Sequence, residues 1–169
     1  YFQEERAGKA ATDLCIRFFG APAILKRVED SWKKMDLPIG GGRINYLFGP
    51  HAIYTTDEEI LRKVRKKADQ KKALITIHMS ETRKERADSK RDRDKLPIEY
   101  LDSIGFLGPD VLLVHCNWLT KGELDIIKKH GAKIVHCPQS NMKLAGGSCM
   151  PIKEMRERGI LVALGTDSS

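Results

Sequence analysis

The chain has 169 residues, of which 41% are hydrophobic and 31% charged. That length fits one ordinary domain with a sizeable core, and the composition excludes a disordered tail, a collagen-like chain and a membrane protein. Lysine plus arginine number 30 against 23 acids, a net charge of +7 that permits anionic partners without requiring them.

Residues 2–14 are helix formers with Ala7, Ala10, Ala11 and Leu14 at helical spacing. The apolar run Ile16 to Phe19, closed by Gly20 and Pro22, reads as a buried strand. Residues 24–35 carry Ile24, Leu25, Val28, Trp32 and Met35 on one helical face. Gly40 to Gly42 mark a turn, and 44–48 read as a strand ending at Gly49-Pro50. Thr56-Asp57-Glu58-Glu59 starts a helix that runs to about residue 72. Strands follow at 74–77, 111–114, 133–135 and 160–164, with helices expected over 97–104, 120–130 and 151–158. Residues 83–95 mix arginine and lysine with Glu85, Asp88, Asp92 and Asp94, and read as a solvated, ion-paired face. No aromatics interleave with these charges, so a stacking platform for bases is unsupported and no nucleic-acid partner is expected.

Strands alternating with helices imply a parallel sheet with right-handed crossovers. About six such units suit either a (β/α) barrel lacking units or an open doubly wound sheet. Gly40-Gly41-Gly42 precedes a strand instead of a helix, the wrong context for a phosphate loop.

The informative pattern is positional. His51, His78, His115, His136 and Asp167 all stand where apolar strand-like runs end. In a parallel barrel those ends converge on one face, where active sites are built. Histidine with carboxylate, and no thiolate pair, suits zinc, and the same donors admit iron or another divalent metal. Glu81 follows His78 by three residues, close enough after a strand end to carry a proton for a water beside a metal. His136 is expected to be structural, and His130 to do no more than end a helix before Gly131. Cys116 and Cys137 each follow a strand-end histidine, and alternation turns both toward packing. The four cysteines form no CxxC pair, which fits a reduced, cytoplasmic protein. The start at Tyr1 without an initiator methionine, and the stop at Ser169 directly after a strand-like run, lead us to expect a domain cut at both ends.

Gly49-Pro50-His51-Ala52, His78-Met79-Ser80-Glu81-Thr82, Val114-His115-Cys116, His136-Cys137-Pro138-Gln139-Ser140-Asn141 and Leu164-Gly165-Thr166-Asp167-Ser168 occur in that order. Together they resemble the amidohydrolase superfamily, in particular the branch of 5′-methylthioadenosine/S-adenosylhomocysteine deaminases and triazine chlorohydrolases. The resemblance implies an α/β fold, a partial TIM-type (β/α)8 barrel holding strands three to eight across 1–169. The first two strands, their His-x-His pair and the flanking β domain have no counterpart in this sequence. It implies His78 and Asp167 as metal ligands, Glu81 as proton shuttle, and Asp167 as a helper in accepting a proton. It implies His115 at the bound water or substrate, and His51 in contact with substrate. The implied reaction is metal-dependent deamination of an aminopurine nucleoside-like small molecule. The alternatives are hydrolytic dechlorination or deamination of s-triazines, or an inactive fragment lacking the His-x-His pair. A homo-oligomer is compatible with all of these; a membrane partner is not expected.

Overall fold

The structure, a computed structural model, describes residues 4–26, 42–145, 147 and 149–167. They form two compact units, one from residues up to 51 with 55–76, the other from 52–54 with 77–169.

In the first unit, α1 (Glu4–Asp13) is followed by β1 (Phe18–Gly20) and β2 (Ala23–Ile24). After these come β3 (Ile44–Tyr46), β4 (Gly49–Pro50) and α2 (Glu58–Lys71). β1 pairs in parallel with β3, and β2 with β4. Ile24 therefore belongs to a strand, in register with Pro50, and does not begin a helix; the rest of the helix expected over 24–35, from residue 27 on, lies outside the described residues. The Gly20 Cα packs so tightly on Phe18 and Tyr46 that a Cβ there would sit 2.8 Å from the Phe18 ring. The run at 16–19 is less buried than its composition suggests: Ile16 and Phe19 are both more than half exposed. α2 begins where the acids and cap predict. Asp57 accepts the Ile60 N–H at 2.9 Å, and Ile60, Leu61, Val64 and Ala68 form its buried stripe.

The second unit carries the chemistry. β5 (Ile75–Met79), β6 (Val111–His115), β7 (Lys133–His136) and β8 (Val162–Leu164) form a four-stranded sheet in that order. α4 (Pro97–Ser103) leads into β6, and β6–β7 and β7–β8 are parallel, as the crossovers α5 (Lys121–His130) and α7 (Ile152–Glu157) require. The core holds Ile77, Met79, Ile98, Leu101, Phe106, Leu113, Leu124, Ile127 and Ile134. α5 is framed by a Thr120–Glu123 capping box and by Gly131 at φ 66°. β8 is the edge of this sheet among the described residues, and its apolar run is not fully covered: Leu164 is 78% exposed.

Two helices were not legible from apolar spacing. α3 (Arg83–Arg93) carries ion pairs such as Arg91–Asp92 and Lys90–Asp94 on its outer side. Its buried residues are Glu85 and Ser89, so Glu85 is not part of the solvated face. α6 (Pro138–Lys143) opens on a proline at its first turn. No helix among the described residues is long and apolar enough to cross a membrane.

Candidate metal and proton-transfer site

The site is built where β5, β6 and β8 end. Alternation along β6 would put His115 on the face of Val111 and Leu113. A left-handed φ of 73° at His115, continued by 54° at Cys116, breaks that alternation. The His115 ring instead stacks on His78, with centroids 5.4 Å apart and planes at 26°. Ser80 and Asp167 are left-handed as well, at 49° and 53°, so every chain segment entering the site turns sharply without glycine. Such conformations persist only where surrounding contacts enforce them, and they cluster at functional sites.

His78, His115 and Asp167 can each aim one ligand atom into a common space, with all three atoms within 4.8 Å of one another. Asp167 Oδ1 lies 3.8 Å from His78 Nε2, and its Oδ2 lies 3.7 Å from His115 Nε2. Zinc bonds of about 2.0–2.2 Å in a tetrahedron put two donors roughly 3.3–3.6 Å apart, so this nitrogen and carboxylate set fits a divalent ion with little movement. Glu81 Oε2 stands 3.9 Å from His115 Nε2. Three of the five residues that the sequence nominated at strand ends, His78, His115 and Asp167, thus come together, with Glu81 beside them. His51 stands in the first unit after β4; its Nδ1 bonds Thr55 Oγ1 at 2.9 Å and its N–H donates to the Ile24 carbonyl.

A polar chain that the sequence did not reveal supports the group. His115 Nδ1 lies 3.0 Å from Asn141 Oδ1, so the ring donates there and turns its Nε2 toward the group. Asn141 Nδ2 donates to Asn117 Oδ1 at 2.8 Å, and Asn117 Nδ2 donates to the Glu81 carbonyl at 3.3 Å. Ser140 Oγ donates to Asp167 Oδ2 at 2.7 Å. Asn117 lies in a loop without periodicity, so no pattern singled it out, and Ser140 and Asn141 fall within the His136–Asn141 motif without a role of their own having been read there.

The electrostatics follow from burial. Glu85 is buried beneath the turn, and desolvation pushes its carboxyl up to about 7 against the lowering effect of the Ser80 and Glu81 amides. The Tyr54 phenol is pushed up to about 12 by burial and by the nearby Glu81 and Glu85 carboxylates. Burial, then His115, holds the His136 imidazole below its ordinary range, and its buried Nδ1 has no hydrogen-bond partner. Cys116 and Cys137 are both buried, although for Cys116 the turn at His115 breaks the alternation from which that was expected. His130 bonds Asp102 Oδ1 at 2.6 Å at the end of α5.

Comparison with known proteins agrees with this geometry. A family model described as "Amidohydrolase family" matches residues 10–169. A 5′-deoxyadenosine deaminase of Methanobrevibacter smithii is 39% identical along the whole chain, which spans 41% of that protein. A 5-methylthioadenosine/S-adenosylhomocysteine deaminase of Thermococcus sibiricus is 36% identical, again along the whole chain and 42% of the relative. An adenosine deaminase from Xanthomonas campestris with bound zinc superposes with a TM-score of 0.91 at 28% identity, covering 98% of this chain and 40% of the other. An atrazine chlorohydrolase from Arthrobacter aurescens, complexed with zinc, gives 0.82 at 21% identity over 94% of this chain and 39% of its own, a likeness of fold alone. The chain thus spans about two fifths of the length of these relatives.

Proposed function

The chain belongs to the amidohydrolase family, and from that premise we propose that the protein carrying it is a zinc-dependent deaminase of an adenosine-like nucleoside. The observation that carries this reading is the convergence of His78, His115, Asp167 and Glu81 at the sheet's strand ends. The 36–39% identity to full-chain deaminase relatives supports an adenine-type substrate over an s-triazine, for which the likeness is of fold alone. 5′-Deoxyadenosine and 5′-methylthioadenosine are the substrates to try first.

His78 and Asp167 would hold the ion, with His115 Nε2 facing the same space. When bound, a divalent ion supplies Lewis acidity that makes water a usable nucleophile at neutral pH. Glu81 takes one proton from the attacking water and gives it to the ring nitrogen, where it stays; the second proton, from the newly attached hydroxyl, is passed to the departing amine, so that ammonia leaves. Asn141 accepts the Nδ1 proton of His115, which orients the ring so that Nε2 faces the same space. Asp167, fixed by Ser140, presents its other oxygen to the His78 side of the group.

The test is ammonia release by the full-length protein, loaded with zinc, from 5′-deoxyadenosine, 5′-methylthioadenosine and atrazine. Turnover of an adenosine analogue at least a hundredfold faster than of atrazine is expected. No release from either nucleoside overturns the reading.

A further inference from the structure

Glu85 sits in a sequence of charges yet is only 6% exposed, and among the described residues no cation pairs with it. Its two oxygens are spent on consecutive amides instead: Oε1 accepts from Ser80 N and Oε2 from Glu81 N, each at 2.9 Å. The comparison with α5 shows how unusual that use is. Both helices open on Thr-x-x-Glu, at Thr82–Glu85 and Thr120–Glu123. In α5 the glutamate folds back onto its own cap residue, accepting from Thr120 N at 2.9 Å and Thr120 Oγ1 at 3.0 Å, and pairs with Arg86. In α3 the cap Thr82 takes the Glu85 N–H as usual, but the Glu85 carboxylate reaches past the cap into the turn after β5.

That turn is the one that carries Glu81. Ser80 is fully buried with φ at 49°, a conformation that costs energy without glycine and needs an external hold. The Glu81 peptide is gripped on both sides, its N–H by Glu85 and its carbonyl by Asn117. Only the side-chain torsions of Glu81 remain free to set its distance from His115.

We propose that Glu85 is a positioning residue for Glu81, clamping the Ser80 and Glu81 amides so that the Glu81 carboxylate starts from a fixed point beside His115 and Asp167. The proposal rests on Glu81 being the proton carrier. It assigns Glu85 no contact with substrate or metal. A carboxyl group is needed because both of its heteroatoms accept; glutamine would turn an NH2 group toward one of the two amides.

The test uses the full-length zinc-loaded protein with 5′-deoxyadenosine as substrate. Glu85→Gln should lower kcat by roughly 10–100-fold, the scale on which a misplaced catalytic group costs rate, with KM within about threefold and zinc content unchanged. In a Glu81→Gln background the same change should alter the residual kcat by less than about twofold, because there is no longer a proton carrier to misplace. Amide exchange in the unaltered protein gives a readout that does not depend on the variant folding: the Ser80 and Glu81 N–H groups should exchange at least a hundredfold slower than in an unstructured peptide. Full kcat in Glu85→Gln, an equal loss in both backgrounds, loss of zinc, or freely exchanging amides would each overturn the proposal. A Glu81→Gln protein with normal kcat brings down the reading of Glu81 and the clamp with it. An inactive Glu81→Gln beside a fully active Glu85→Gln brings down the clamp alone.

Discussion

His115 Nδ1 and Asn141 Oδ1 are 3.0 Å apart, and His115 is 1% exposed, so this one bond decides which nitrogen of the ring faces the site. Asn141→Ala removes the acceptor and also the donor to Asn117. Leaving a buried ring N–H unpaired typically costs about 1–3 kcal/mol. Urea unfolding of the full-length protein should show a loss of that size, accompanied by a fall in turnover. Unchanged stability and turnover would show that the ring keeps its orientation without Asn141.

Glu81 and His78 should separate on mutation. Glu81→Gln keeps the shape but cannot carry a proton, and positioned acid–base catalysis is typically worth roughly 10²–10⁴-fold in rate. The expected outcome is that loss in kcat with zinc content retained. His78→Ala should lose zinc together with activity, since it removes a donor from the group. Elemental analysis and ammonia release on the same preparations distinguish the two. A Glu81→Gln protein that has also lost its zinc would make Glu81 a ligand instead of a proton carrier.

Glu85 gives stability a pH dependence of definite sign. Its folded value of about 7 lies above the ordinary 4.5, because burial disfavours the charge. The group therefore contributes stability in full below about pH 4.5, and that contribution is lost as pH rises through about 7. The stability difference between the wild type and Glu85→Gln should fall across that window, by on the order of 3 kcal/mol at most. Denaturant unfolding at several pH values measures it. A difference that is constant with pH would mean the carboxyl titrates normally.

Gly165 sits where β8 leads into Asp167, its N–H bonded to the His136 carbonyl at 2.8 Å. A Cβ there would meet Val135 Cγ1 at 2.9 Å and Cys137 Sγ at 3.1 Å. Gly165→Ala should cost roughly 1–3 kcal/mol as an overpacking change and disturb Asp167. Adding Val135→Ala should recover part of the loss, a coupling that a double-mutant cycle reads directly. Full additivity of the two changes would place the clash elsewhere.

Much of the second unit was legible because its strands are short apolar runs and its helices have caps. The runs ending at His78 and His115 are β5 and β6, and Thr120 with Gly131 brackets α5. α3 was hidden for a physical reason: its buried face is polar, Glu85 and Ser89, so no hydrophobic period exists to be read. The signal that could have found it is the Thr82-x-x-Glu85 capping pattern ahead of the charged run. Ile24 misled because its neighbours share helical spacing, while pairing with Pro50 decides its conformation. The site's strand-end histidines and Asp167 announce themselves through position. Ser140, Asn141 and Asn117 do not, because their importance lies in partners 24 to 27 residues away.

Cys15 and Cys149 are exposed, whereas Cys116 and Cys137 are buried directly beyond the strand ends that carry His115 and His136. Burial pushes the Cys116 thiol well above its ordinary range and the Cys137 thiol up to about 11, which starves both of the thiolate that alkylating reagents need. The protein therefore carries its own stopwatch. Two thiols should label at once, and the rate at which the other two follow measures how often the strand ends beneath the site come apart.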